Sequence, residues 1–184
     1  MTCIGLISDT HVPNRLPVIP AAVFEHLGGV DLILHAGDVD DPAILGELRQ
    51  FAPVKGVRGN WHLLAPWPND HRLPLFLDLQ IEGQRVILTH GHLGLWNNFV
   101  EKFWLFLPDR RRRVNEILVK RLARRFPGVD VYVFGHTHRA LVERRDDALF
   151  INPGAVCPAR GQTASMGRLT ITGGRAEVEI ISLE

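Results

Sequence analysis

Short, largely apolar runs alternate with amphipathic stretches in the first third of the chain. Residues 3–7, 31–35 and 54–57 are typical of buried strands, because each is short and is followed by glycine or polar residues. Residues 21–27 and 42–51 lie between them and predict two helices, the second with a proline at its start and apolar residues on one face. This strand–helix alternation predicts right-handed crossovers and a parallel sheet.

The pattern changes after residue 74, where strands and helices no longer alternate. The elements predicted there are a hairpin of residues 75–81 and 85–89 around Glu82-Gly83, amphipathic helices at 96–107 and 110–126, a strand at 129–134, and a tail of strands that turn at Asp146-Asp147 and Gly173-Gly174. Together with the first third, these elements predict an α/β protein in which two sheets pack face to face with helices outside.

Composition adds few constraints. With 184 residues, 46% hydrophobic and 22% charged, the chain suits one globular domain over residues 1–184. The net charge of +1 gives no global reason to expect nucleic acid or membranes as partners. No signal-peptide pattern is present, and the longest apolar run, near 103–108, is far shorter than the roughly 20 residues of a membrane span. Two cysteines exclude a disulfide framework, so we expect a cytoplasmic protein.

Nine histidines are the unusual feature of the composition, and several of them follow predicted strands. Side chains at the carboxyl ends of strands gather where α/β sheets bind ligands, and alternate residues of an extended segment point the same way. Mixed oxygen and nitrogen donors suit Mn²⁺, Fe, Zn²⁺ or Ni²⁺ better than Ca²⁺ or Mg²⁺. The segments with potential metal ligands are Asp9-Thr10-His11, Gly37-Asp38, Gly59-Asn60, His90-Gly91-His92 and His136-Thr137-His138.

The order of these segments resembles the motifs of the calcineurin-like metallophosphoesterases. The resemblance runs from residue 8 to about 161 and includes Asn152-Pro153-Gly154. The compact length is similar to the small bacterial and archaeal phosphodiesterase branch, which also includes the retromer scaffold subunit. The resemblance implies a four-layer α/β/β/α sandwich of two mixed sheets, with a dinuclear metal cleft at the strand ends.

The resemblance also implies two divalent metal ions, with Mn²⁺ expected first and Fe, Zn²⁺ or Ni²⁺ as alternatives. Seven candidate ligands exceed what one ion needs from protein while keeping open positions. Two ions about 3.5–4 Å apart can clamp a phosphoryl group and lower the pKa of a bridging water, whose hydroxide would attack phosphorus. The two implied ligand sets share one carboxylate: Asp9, His11, Asp38 and His138, and Asp38, Asn60, His90 and His136.

The resemblance implies a small phosphoester as the substrate. One amide and two arginines are the side chains expected to contact it. Asn60, Arg15 and Arg160 are the candidate substrate contacts, since arginine can grip phosphate at two points.

The usual general acid of the family is missing from this chain. Many members carry His directly after the motif Asn, where this chain has Trp61. His62 and His92 are the candidate replacements and, with Asp38, form the predicted catalytic set. Without a strong acid, leaving-group protonation would contribute about 10²–10³ less in rate, which predicts a preference for good leaving groups such as those of aryl phosphodiesters.

Other function classes stay open at this point. A non-catalytic scaffold or protein-interaction module on the same fold would be free to lose metal ligands, whereas all seven positions are intact here. A nuclease would use the arginine-rich helix at 110–126, but the chain has no room for an added DNA-binding domain. The aromatic stripe of 96–107 suits core packing, a lid near the cleft or a homo-oligomer interface.

Overall fold

The computed structural model describes residues 1–60, 73–91 and 111–184, the side chains of 111–113 excepted. The predicted helix at 96–107 and the residues Trp61, His62 and His92 lie outside this part of the chain. The described elements are β1 (Thr2–Ile7), α1 (Ala21–His26), β2 (Leu32–His35), α2 (Ala43–Leu48), β3 (Val54–Gly56), β4 (Phe76–Ile81), β5 (Gln84–Thr89), α3 (Arg111–Arg125), β6 (Val131–Val133), β7 (Leu141–Arg145), β8 (Ala148–Asn152), β9 (Ser165–Thr172) and β10 (Arg175–Ser182).

The strands form two five-stranded mixed sheets. The first has the order β10-β9-β1-β2-β3, in which β1, β2 and β3 run parallel, as the strand–helix alternation predicts. The second has the order β4-β5-β6-β8-β7, with β5, β6 and β8 parallel and an antiparallel strand at each edge. The carboxyl ends of the parallel strands therefore carry the loops in which the candidate ligands lie.

Three apolar clusters define four layers. The central cluster joins the facing sides of the two sheets, for example Leu6 and Leu34 of the first with Leu88 and Val133 of the second. A second cluster packs α1 and α2 on the outer side of the first sheet. The third packs α3 on the outer side of the second sheet, where Leu118 is fully buried. The α/β/β/α arrangement predicted from the sequence is confirmed.

Turns and helix ends show where the sequence pattern was reliable. Glu82 and Gly83 have φ values of 50° and 78°, the left-handed pair that a two-residue hairpin turn requires. The second helix, in contrast, ends at Leu48, although the apolar pattern continues to residue 51. Phe51 lies in the turn after this helix and packs on Phe24, with ring centroids 5.3 Å apart. Its apolar side chain therefore extends the apolar pattern without extending the helix.

The longest helix of the described residues is α3, with 15 residues. No helix in the described ranges is long and apolar enough to cross a membrane. The outward side of α3 is basic, and Lys120, Arg121, Arg124 and Arg125 line a groove there together with the exposed Ile117.

Candidate metal centre

The loops that carry the candidate ligands hold them in an uncommon backbone conformation. Non-glycine residues with positive φ cost about 1–3 kcal/mol each and cluster at functional sites. Within the described part of the chain, only two non-glycine residues with positive φ lie outside the candidate ligand set. They are Glu82 and Asp146, both in hairpin turns. The candidate ligands with positive φ are Asp9 (53°), His11 (47°), Asp38 (56°), His136 (75°) and His138 (56°).

The first predicted ligand set converges on one point. One donor atom from each of Asp9, His11, Asp38 and His138 lies within 4.8 Å of the other three. His138 Nε2 is 3.2 Å from Asp9 Oδ1, and His11 Nε2 is 3.5 Å from Asp38 Oδ2. All four side chains are buried or nearly so. Their role as ligands remains a prediction, but the geometry brings the donors together.

The second predicted set meets at the amide of Asn60. Asn60 Oδ1 lies 3.0 Å from His90 Nε2 and 3.1 Å from His136 Nδ1. His90 Nε2 is also 3.4 Å from Asp38 Oδ2, the same oxygen that faces His11. The Asp38 carboxylate therefore lies between the two sets, in the position that a shared ligand would take.

Glycines let the loops approach the candidate ligands closely. A Cβ on Gly59 would collide with Asp38 Oδ1, so only glycine fits before Asn60. A Cβ on Gly37 would lie 2.7 Å from His90 Nδ1, and its φ of 101° is itself open to few other residues. These glycines thus allow close contact between the loops that carry the candidate ligands.

Backbone carbonyls fix the tautomers of two histidines. His90 Nδ1 donates to Ala36 O at 2.7 Å, and His138 Nδ1 donates to Cys157 O at 2.9 Å. Because a carbonyl oxygen only accepts, Nδ1 must carry a proton in both rings. The neutral form of each ring then directs the lone pair of Nε2 towards Asp38 or Asp9, which is the arrangement that metal-binding histidines need.

Buried carboxylates and imidazoles shift one another's pKa. Burial alone would lower the pKa of His90, but Asp38 and Asp9 outweigh it and raise the pKa to about 9. Burial likewise opposes protonation of His138, whose pKa is raised by Asp9. Burial favours the neutral form of Asp9, yet His138 holds the pKa of that carboxyl far below its usual range. Burial lowers the pKa of His11 despite the neighbouring Asp38.

These residues fit a divalent cation. When His138 is neutral, Asp9 Oδ1 is buried without a hydrogen-bond partner in the described part of the chain, because the Nε2 that faces it then carries no proton. An acceptor left in this way is costly unless a cation or donor meets it. Carboxylate, imidazole and amide donors are the set that Mn²⁺, Fe and Zn²⁺ accept.

The three candidate substrate contacts differ in how closely the structure ties them to this centre. Arg15 is exposed, and its charge acts on His11 and His138, where it opposes protonation. Arg160 is exposed on the loop between β8 and β9. Asn60 contributes its Oδ1 to the histidine pair. Contact of any of the three with substrate stays a prediction, as does the role of His62 and His92, which lie outside the described residues.

Two residues support the centre although the sequence did not identify them as ligands. Asn152 Nδ2 donates to Gly135 O at 2.9 Å and Thr137 Oγ1 at 3.0 Å, so it fastens the loop that carries His136 and His138. The sequence analysis noted Asn152 as part of the Asn152-Pro153-Gly154 motif but did not predict this supporting role. Asp40, buried beside His11, was missed altogether because nothing in the sequence separates it from its acidic neighbours.

A sandwich of two mixed sheets with Asp, His and Asn side chains gathered at its strand ends is an arrangement typical of metal-dependent hydrolases. A family profile described as the calcineurin-like phosphoesterase superfamily domain matches residues 2–174. The chain belongs to this family.

Individual relatives agree with the family assignment. The chain is 37% identical to a probable metallophosphoesterase of Methanothermobacter thermautotrophicus over 180 residues, which cover 97% of this chain and 91% of the relative. It is 28% identical to a phosphodiesterase of Methanocaldococcus jannaschii over 165 residues, 84% of each chain. Among solved structures, Vps29 of Entamoeba histolytica in complex with zinc superposes with a TM-score of 0.68 at 20% identity and covers 99% of both chains. This last likeness shows the fold alone.

Proposed function

We propose that this metallophosphoesterase is a phosphodiesterase that hydrolyses a P–O bond with two divalent ions, Mn²⁺ first among them. The position of Asp38 carries the proposal. Its Oδ2 lies 3.5 Å from His11 Nε2 in one set and 3.4 Å from His90 Nε2 in the other. A carboxylate oxygen between two groups of buried donors suits a pair of cations better than one.

Each side chain then has a definite task in the proposed reaction. Divalent ions in this centre would supply Lewis acidity, activating water and neutralising phosphoryl charge. Asp38 and Asp9 hold negative charge in a buried site, and the carbonyl-fixed rings of His90 and His138 keep Nε2 directed inward. Arg15 at the rim would attract the anionic diester and help to orient it.

A scaffold function on the same fold is the alternative, since the fold is shared with Vps29. The intact ligand positions favour the enzyme. Bis(p-nitrophenyl) phosphate and p-nitrophenyl phosphate are the probes, tested with Mn²⁺ on protein of measured metal content. We expect two metal ions per chain and faster cleavage of the diester, both lost on chelation. Fewer than two ions at saturating Mn²⁺ together with no hydrolysis would support the scaffold.

Metal affinity is expected to rise with pH. With a pKa of about 9, His90 carries a proton at pH 7 that must leave before Nε2 can bind an ion, and the raised pKa of His138 acts in the same direction. Asp9 is ionised and His11 is neutral at this pH, so neither adds a proton to be released. Release of the His90 proton alone predicts an apparent association constant that rises about tenfold per pH unit from 7 to 9 and then levels off, and a proton lost from His138 would steepen this rise.

Competition with a chelator of known affinity at pH 7, 8 and 9 measures this dependence. Calorimetry in two buffers of different ionisation enthalpy counts the released protons independently. A constant affinity across these three pH values would show that the histidines are already neutral in the metal-free protein.

A further inference from the structure

We propose that Asp40 is a positioning residue that orients His11 for the metal centre. The proposal rests on the metal-dependent function above, and it concerns a residue outside the seven candidate ligands. The Asp40 side chain is fully buried, with Oδ1 3.4 Å from His11 Nδ1 and Oδ2 accepting a hydrogen bond from Asn14 Nδ2 at 2.9 Å.

The surrounding backbone holds Asp40 opposite His11. The amide of His11 donates to Asp38 O at 3.3 Å, and the amide of Asp9 donates to Gly37 O at 2.9 Å, so the two ligand loops run together. Asn14 belongs to the same loop as His11 and holds the far oxygen of Asp40. The near oxygen, Oδ1, is buried and has no hydrogen-bond partner in the described part of the chain, which leaves it directed at the His11 ring.

His11 differs in this respect from the candidate ligands His90 and His138. His90 and His138 donate Nδ1–H to backbone carbonyls, whereas Nδ1 of His11 faces a carboxylate. A carboxylate fixes the ring with Nδ1 protonated, turns Nε2 inward and makes it a stronger donor to a metal ion. Nε2 of His11 indeed lies on the side of Asp38, 3.5 Å from its Oδ2. Asp40 is therefore a support of the His11 ring that a side-chain substitution can remove.

The neighbouring residue provides a matched control. Asp41 is half-buried, and its Oδ1 accepts from the backbone amide of Ala43 at 2.8 Å, at the start of α2. Asp41→Asn removes the same charge one residue away and keeps an oxygen for that bond. A long-range effect of charge alone would weaken metal binding in both variants. Loss of the support for His11 would weaken it only in Asp40→Asn.

The test is Mn²⁺ and Zn²⁺ binding to purified protein, measured by calorimetry, with the melting temperature of the metal-free form as a second readout. Asp40→Asn should weaken binding at one site about 10–100-fold and leave the metal-free melting temperature unchanged, while Asp41→Asn binds as wild type. Asn14→Ala should weaken binding less, because Asp40 remains. It also serves as the test if Asp40→Asn fails to fold. Affinity within twofold of wild type for Asp40→Asn, or for Asn14→Ala in that case, would overturn the proposal.

The binding measurement separates this proposal from the proposed enzyme activity. If the wild type binds metal but hydrolyses no phosphoester, and Asp40→Asn still binds more weakly, the phosphodiesterase proposal falls while the role of Asp40 stands. If the wild type is active and Asp40→Asn binds metal normally, only the role of Asp40 falls. A fall in the metal-free melting temperature with unchanged affinity would identify Asp40 as a purely structural residue and overturn the proposal.

Discussion

Asp38→Asn is expected to abolish phosphodiester hydrolysis, with a loss of at least about 10³-fold in kcat/KM. The substitution keeps the shape of the side chain but replaces an anionic oxygen that faces His11 on one side and His90 on the other. Loss of a shared ligand would weaken both predicted cation sites at once. Several kcal/mol of transition-state charge stabilisation then disappear, which corresponds to a factor of about 10³ or more.

Activity and metal content should be measured on the same preparations of this variant. Asp147→Asn is a suitable control, because Asp147 is exposed in the β7–β8 turn and the chemical change is identical. The control should retain wild-type activity and metal content. Full activity in Asp38→Asn would refute the assignment of the site, and lost activity with both ions still bound would show that Asp38 acts in some way other than as a shared ligand.

The positions of the strands and of the candidate ligands could be predicted because both follow from local pattern. Short apolar runs gave β1, β2 and β3, and parallel strands bring their carboxyl ends to one edge of a sheet. Asp9-x-His11 and His136-x-His138 directly follow such strands. Hence their convergence could be predicted from the sequence. The left-handed backbone conformation at each of these residues could not.

The supporting contacts could not be predicted, because they form between segments distant in sequence. Asp40 stands in the run Asp38-Val39-Asp40-Asp41, and only the meeting of two loops places it against His11, 29 residues earlier. Likewise, the fastening of the His136 loop by Asn152 depends on β6 and β8 being neighbours in the sheet. Periodicity carries no information on such pairs, so sequence reasoning identified the donors but not what holds them.

If the proposed phosphodiesterase activity holds, we expect its preference for aryl over alkyl leaving groups to be about 10²–10³ larger than that of an enzyme with a general acid. Trp61 follows the candidate ligand Asn60, and an indole cannot protonate a departing alkoxide. The rate of P–O cleavage must then depend strongly on the stability of the leaving oxyanion, because positioned acids contribute about 10²–10⁴ in rate. A series of phosphodiesters with leaving groups of graded pKa measures this dependence as the slope of log kcat/KM.

His62→Asn and His92→Asn decide whether either neighbour replaces the missing acid. If one of these histidines protonates the leaving group, its loss should slow alkyl diesters far more than aryl diesters and so steepen the slope, while the other variant serves as the control. If neither does, both variants keep the steep wild-type slope. A wild-type enzyme that cleaves alkyl and aryl diesters at equal rates would contradict the missing-acid hypothesis, because it would show that a proton donor other than the residue at position 61 is at work.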